Sequence, residues 1–156
     1  MRTTLLKKLG VLLVTGLLSS AAVAQTIDAK FAVTLPKNSH QGLGVAKFID
    51  LVKEKSDGRI KIRPYYNAAL GNDVQVTSAL QGGTIEFTVP QTSTLTGMVR
   101  EFEILDYPFL FANEHEADTI LDGAIGQRLL DQLVEKGLVG LAYWENGFFN
   151  ATNSKH

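Results

Sequence analysis

Residues 27–35 read IDAKFAVTL, with Ile27, Ala29, Phe31, Val33 and Leu35 apolar at every second position. A period of two marks a strand with one buried face. Pro36 ends it, and Lys37-Asn38-Ser39-His40 is a polar loop. Leu43, Ala46, Phe48, Ile49 and Val52 then fall at roughly helical spacing, and Asp57-Gly58 marks the stop. Ile60 and Ile62 open a second strand that reaches Tyr65-Tyr66, and Pro64 places it at an edge or an end. Strand, helix and strand in this order predict an α/β domain with a largely parallel sheet flanked by helices.

The same alternation continues towards the carboxyl end. Asn67 to Gly71 is a loop, and Asn72 caps a helix carrying Val74, Val76, Ala79 and Leu80, which Gly82-Gly83 ends. Ile85, Phe87 and Val89 form a short third strand, closed by Pro90. Gln91-Thr92-Ser93-Thr94 opens a short helical piece towards Arg100. Residues 106–111, DYPFLF, are an apolar connector that is expected to be buried. Asn113 caps a further helix, with Glu116 where a capping box wants it. After Gly123, helix carries Ile125, Leu129, Leu130, Leu133 and Val134 as far as Gly137. Val139, Leu141 and Tyr143 predict a fourth strand that leads to Trp144. Ligands of parallel sheets sit beyond the carboxyl ends of the strands. Those ends are Thr34 to His40, Asn67 to Asp73, Val89 to Ser93 and Trp144 to Phe149, rich in amides, hydroxyls and aromatics.

Upstream of the first strand the chain changes character. Arg2, Lys7 and Lys8 carry the only charges among the first eight residues, an apolar stretch runs from Leu9 to Leu18, and Ala22-Val23-Ala24 follows. This order of basic, apolar and small residues predicts a secretory signal over residues 1–24, cleaved after Ala24. The apolar stretch is shorter than the ~20 residues that span a bilayer. The mature product, 25–156, then has 132 of the 156 residues and three basic charges fewer, 12 against 16 acidic, a net charge of −4. No basic surplus favours a nucleic-acid partner. The absence of cysteine excludes thiol catalysis, disulfides and cysteine-ligated metals.

Catalytic patterns are missing as well. Asn113-Glu114-His115-Glu116 with Asp118 superficially suggests a metal cluster, but His115 points about 100° away from the shared face of Glu114 and Asp118. An acidic first turn favoured by the helix dipole explains it better. No nucleophile elbow, Walker loop or H-E-x-x-H occurs, and no metal site or cofactor is expected. His40 starts the first helix at a strand's carboxyl end, where an anion site and an exposed cap-region histidine are both open readings.

Several stretches together resemble one family. They are Lys30-Phe31-Ala32, FIDLVKEKSDG at 48–58, NAALGND at 67–73, ALQGGTIEFTVP at 79–90, LDYPFLF at 105–111, GLVGLAYWENGF at 137–148 and NATNSK at 150–155. In this order and spacing, behind a signal, they resemble the extracytoplasmic solute receptors of tripartite ATP-independent periplasmic (TRAP) transporters, in the dicarboxylate-receptor-like branch. The resemblance implies a periplasmic-binding-protein-like, two-lobed α/β receptor. It closes on a small organic acid and delivers it to membrane permease subunits. Residues 25–156 correspond to the first lobe only, with the second lobe missing. The resemblance implies a ligand-facing position for Thr34, a polar contact for Asp73, and a polar site residue at Gln91 with Thr92 and Ser93 beside it. Trp144 ends the fourth strand, and Phe149 stands where many relatives have arginine. Each position has an ordinary structural alternative: Asp73 supporting a helix start, Gln91 to Ser93 capping a turn, Trp144 and Phe149 lying in the core. A non-binding truncated fragment, and less readily an exported α/β enzyme, are the competing functional readings.

Overall fold

The computed structural model describes residues 26–148 and Ser154; the expected signal and Phe149 lie outside the described residues. Strand β1 (Ile27–Ala32), helix α1 (His40–Lys55), strand β2 (Ile60–Tyr65), helix α2 (Asp73–Gln81) and strand β3 (Phe87–Thr88) follow in order. The sheet runs β2-β1-β3, and both pairings are parallel. Ile27 pairs with Ile60 and Ala32 with Tyr65, while Phe31 and Ala32 meet Phe87 and Thr88. Pro64 is thus tolerated on an edge strand, where a missing N–H costs no ladder bond.

The alternation in β1 sorts its side chains between two layers. Phe31 and Val33 face α1, where they pack with Val45, Phe48 and Ile49. Ala32 faces the opposite side and packs with Val76 and Ile85 under α2. Ser39 caps α1, its Oγ accepting from the Gly42 N–H at 3.1 Å. Asn72 caps α2 in a full capping box with Gln75. Past α1, Asp57 and Gly58 turn through left-handed backbone, which is how the chain reverses into β2.

The second half is made of short pieces. Helix α3 (Thr92–Leu95) and a 3₁₀ segment (Arg100–Asp106) precede α4 (Glu114–Leu121), α5 (Ala124–Gln132) and a second 3₁₀ segment (Leu133–Lys136). Leu95, Val99, Phe102, Leu129, Leu130, Leu133 and Leu138 form its core. Asn113 accepts from the Glu116 N–H at 3.0 Å, but the Glu116 carboxylate reaches back to Ala112 N–H at 2.8 Å, one residue before the expected capping-box partner. Among the described residues, no helix is long and apolar enough to cross a membrane.

Two expectations are corrected. The fourth strand predicted from Val139, Leu141 and Tyr143 is not part of the sheet; residues 138–148 carry no regular secondary structure. A strand needs an edge to pair with, and β3, the edge strand on the far side of β1 from β2, is two residues long. The DYPFLF connector is not buried: Tyr107 is 68% exposed and the Phe109 ring fully so.

Candidate functional site

The carboxyl end of β1 is laced to that of β2 by backbone bonds. Val33 N–H donates to Tyr65 O, Asn67 N–H to Leu35 O and Ala68 N–H to Val33 O, at 2.8 to 3.2 Å. Asn67 and Ala68 both adopt left-handed backbone, with φ of 56° and 53°. Non-glycine residues pay for that conformation, and it persists where surrounding bonds fix it. Thr34 sits half-buried in this knot, directly after the strand.

Two polar links gather the remaining segments. Asp73, the first residue of α2, accepts from the Gln91 N–H through Oδ2 at 3.5 Å, which holds the loop after β2 to the segment after β3. Asp73 is half-buried and the Gln91 side chain exposed. Gln91 occupies the cap position of α3 without making a side-chain cap bond, so its amide is not consumed by the helix. Thr92 is half-buried and Ser93 exposed in the turn that follows. The second link joins His40 to Asn146, with His40 Nε2 3.0 Å from Asn146 Oδ1. With the amide in this orientation its oxygen accepts, and the matching His40 tautomer carries its hydrogen on Nε2.

Trp144 holds the last segment in place. Its ring lies 6.3 Å from the Phe31 ring, between centroids, within the cluster that also contains Phe48 and Phe87. A Cβ placed on Gly44 meets the indole at 2.8 Å, so only glycine lets the ring lie this close to α1. Trp144 is therefore partly a core residue. Tyr143, its neighbour, packs against the other core, and its hydroxyl donates to Gly126 O at 3.0 Å. Burial pushes the phenol up from 10.0 to about 12.

The structure thus brings His40 to the Trp144–Asn146 segment and Asp73 to Gln91, with Thr34 in the loop that follows β1. Sequence reading missed Gly44 and Asn146. Gly44 had a signal, because a glycine inside a helical pattern costs about 1 kcal/mol and calls for a packing reason. Asn146 lies in the expected strand end, Trp144 to Phe149, but nothing local marks its contact with His40, because that partner is 106 residues away. The strand-end face is open. Two shallow depressions of about 280 and 360 Å³, one at Ile49, Lys53 and Ile60 and the other at Lys30, Leu70 and Ile85, contain none of these residues. Among the described residues no group of three or more acidic or histidine side chains is placed to hold a metal.

Comparison with known proteins fits this geometry. The family described as bacterial extracellular solute-binding protein, family 7, matches residues 31–156. A solute-binding protein of Verminephrobacter eiseniae is 40% identical over 136 residues, which cover 87% of this chain and 40% of that one. The sugar acid binding protein DctPAm of Advenella mimigardefordensis, solved in complex with galactonate, superposes with a TM-score of 0.80 at 44% identity, over 85% of this chain and 43% of that one. A TRAP periplasmic solute binding protein of Polaromonas sp. JS666, bound to D-erythronate, superposes with a TM-score of 0.76 at 39% identity, over 78% and 40%. The chain spans about 40% of the length of these proteins. With a family match over most of its length and the parallel α/β lobe to go with it, the chain belongs to the bacterial extracellular solute-binding proteins of family 7.

Proposed function

We propose that residues 25–156 are the ligand-facing first lobe of a TRAP-type receptor that works in the periplasm once residues 1–24 are removed. It captures a small organic acid and hands it to the permease subunits of a membrane transporter. The observation that carries this reading is the convergence of four polar or aromatic segments at one end of a parallel sheet, on a lobe that superposes on a galactonate-binding protein. Thr34, His40, Asp73, Gln91, Thr92 and Ser93 supply orienting hydrogen bonds, and Trp144 and Phe149 supply apolar contact. The family is one of extracellular solute-binding proteins, so the role proposed for these groups is reception.

The ligand class follows from charge. A buried carboxylate needs a charge-assisted partner. Arg100 is engaged with Glu103 at 3.4 Å, and Arg63 lies exposed on the edge strand. Phe149 removes a further cation from the strand ends. The main counter-charge therefore comes from the remainder of a family 7 receptor, and this lobe reads the hydroxyls and shape of the acid. A hydroxylated monocarboxylate suits this face better than a highly acidic ligand.

Calorimetric titration with galactonate, D-erythronate and succinate tests the reading, on this chain alone and on this chain joined to the carboxyl-terminal remainder of DctPAm. Alone, half a cleft leaves most of a small ligand in water and binding is weak. The joined protein is expected to bind a sugar acid at least about 100-fold more tightly, or roughly 2.7 kcal/mol. A joined protein that is folded but binds none of the three overturns it.

A further inference from the structure

The geometry points to Asn146 as a ligand-orienting residue, with His40 as the positioning residue that sets its amide. This rests on the receptor reading above and deepens it.

His40 and Gly44 are four residues apart on α1, so they lie one turn, about 5.4 Å, apart on the same face. Trp144 and Asn146 are two residues apart in extended chain, which covers about 6.6 Å. Trp144 lies on Gly44 and Asn146 meets His40. The chain after Trp144 therefore runs along α1 towards its first residue, in step with the helix, and the indole fixes where Asn146 arrives. Packing against Phe31 fixes the indole in turn.

The hydrogen bond then decides which end of the amide is offered. Oδ1 is taken by His40 Nε2–H. Nδ2, with two hydrogens, has no partner among the described residues, and the Asn146 side chain is exposed at the carboxyl end of the sheet. An exposed amide whose acceptor is occupied presents only donors. A carboxylate or hydroxyl oxygen of an organic acid is the matching group. Without His40 the amide rotates freely and offers its oxygen as readily as its nitrogen, which an anion disfavours.

The test uses the ¹⁵N-labelled chain, titrated with galactonate and, as an uncharged control, galactitol. The Asn146 side-chain NH₂ signals are expected to shift with galactonate and saturate, and to shift less, without saturating, with galactitol. Asn146→Ala and His40→Phe should each weaken galactonate binding by about 5- to 30-fold, and the double variant no more than the single ones, since the pair acts as a unit. His40→Gln, which keeps a donor, should recover most of the loss; a merely structural role for the ring would not be rescued this way. Both positions are exposed, so unchanged melting curves show that each variant is folded. If galactonate moves the signals of Thr34 or Gln91 while both variants bind within twofold of the parent, Asn146 is not in the site and the receptor reading survives. If galactonate and D-erythronate move no signal of this chain up to tens of millimolar, the inference falls, and the joined protein decides the receptor reading separately.

Discussion

From β1 to α2, Phe31, Ala32, Val33, Val45 and Val76 are all buried, and the large apolar residues left outside, such as Leu43 and Val74, are scattered singly over helix faces. From residue 104 on, exposed apolar residues run together instead: Ile104, Tyr107, Phe109 and Leu110 in one stretch, Val139 and Leu141 in another. Scattered exposure is ordinary; contiguous exposure marks a surface that meets something. The first half closes because each element finds a partner on β1: α1, β2 and α2 in turn, and then β3. In the second half, an alternating apolar segment has no strand beside it. Residues 143 and 144 join the two, Tyr143 packing into one core and Trp144 into the other.

The largest expected effect comes from emptying each core in turn. Phe102 is fully buried, and Phe31 is 3% exposed with Phe48, Phe87 and Trp144 around it. Phe102→Ala and Phe31→Ala should each cost about 3 to 5 kcal/mol in urea denaturation. Trp144 is the only tryptophan, so its fluorescence reports on one core alone. Phe31→Ala should shift the native emission and Phe102→Ala should leave it unchanged. An equal shift from both would show that the halves share one core and end the comparison.

Gly44→Ala should cost less, about 0 to 2 kcal/mol. Its Cβ meets the indole at 2.8 Å, and overpacking of this kind costs about 1 to 3 kcal/mol, offset in part by alanine's better helix propensity, about 1 kcal/mol. The urea midpoint should fall and the Trp144 emission move towards that of exposed indole. A gain in stability would show that Trp144 moves off α1 at no cost, and would loosen the His40–Asn146 contact from its anchor.

What was legible in the sequence follows the same division. The IDAKFAVTL alternation, the Asn72 cap and the Asp57-Gly58 stop are local signals, and each corresponds to an element the structure contains. The parallel sheet followed from their order. Val139, Leu141 and Tyr143 carry an equally good strand pattern, but a pattern states only what a segment does when an edge is available. The DYPFLF stretch reads as core for the same reason: apolarity shows that a segment needs cover without showing where the cover is. At the candidate site, the roles of Asp73 and Gln91 are implied by the family resemblance, and the structure adds that they are bonded to each other. The contact of His40 with Asn146 depends on how Trp144 packs, which no local signal encodes.

Tyr143→Phe separates packing from hydrogen bonding where the cores meet. It removes the bond to Gly126 O and should cost about 0.5 to 1.5 kcal/mol at neutral pH. The pH dependence has a definite sign. Burial raises the folded phenol to about 12 from 10.0, so its contribution is complete below pH 10. Above pH 10 the unfolded chain loses the proton first, and the contribution is lost as pH rises towards about 12. The parent should therefore lose stability more steeply than Tyr143→Phe between pH 10 and 12, while both stay parallel below pH 9. Identical alkaline limbs would show that the hydroxyl stays hydrated and that Tyr143 belongs to neither core.

The smallest effect on stability is expected at Phe109, and it is the most direct probe of the second half. Phe109 has a φ of 60° and a fully exposed ring. An L-residue in left-handed backbone pays about 1 to 2 kcal/mol, which glycine avoids. Glycine in turn gives the unfolded chain freedom worth about 0.5 to 1 kcal/mol. No packing is lost, because the ring touches solvent. Phe109→Gly should thus leave the urea midpoint almost where it was, within about 1 kcal/mol. Association should respond more clearly, because the substitution removes the most exposed apolar side chain from the 104–110 surface. Binding of a hydrophobic dye and the mass measured by light scattering at high concentration should both fall. A loss of more than about 2 kcal/mol would mean that the ring is covered in solution. If the parent's midpoint then rises with protein concentration and the variant's does not, the cover is a second copy of the chain, and the exposure that distinguishes the two halves belongs to the monomer alone.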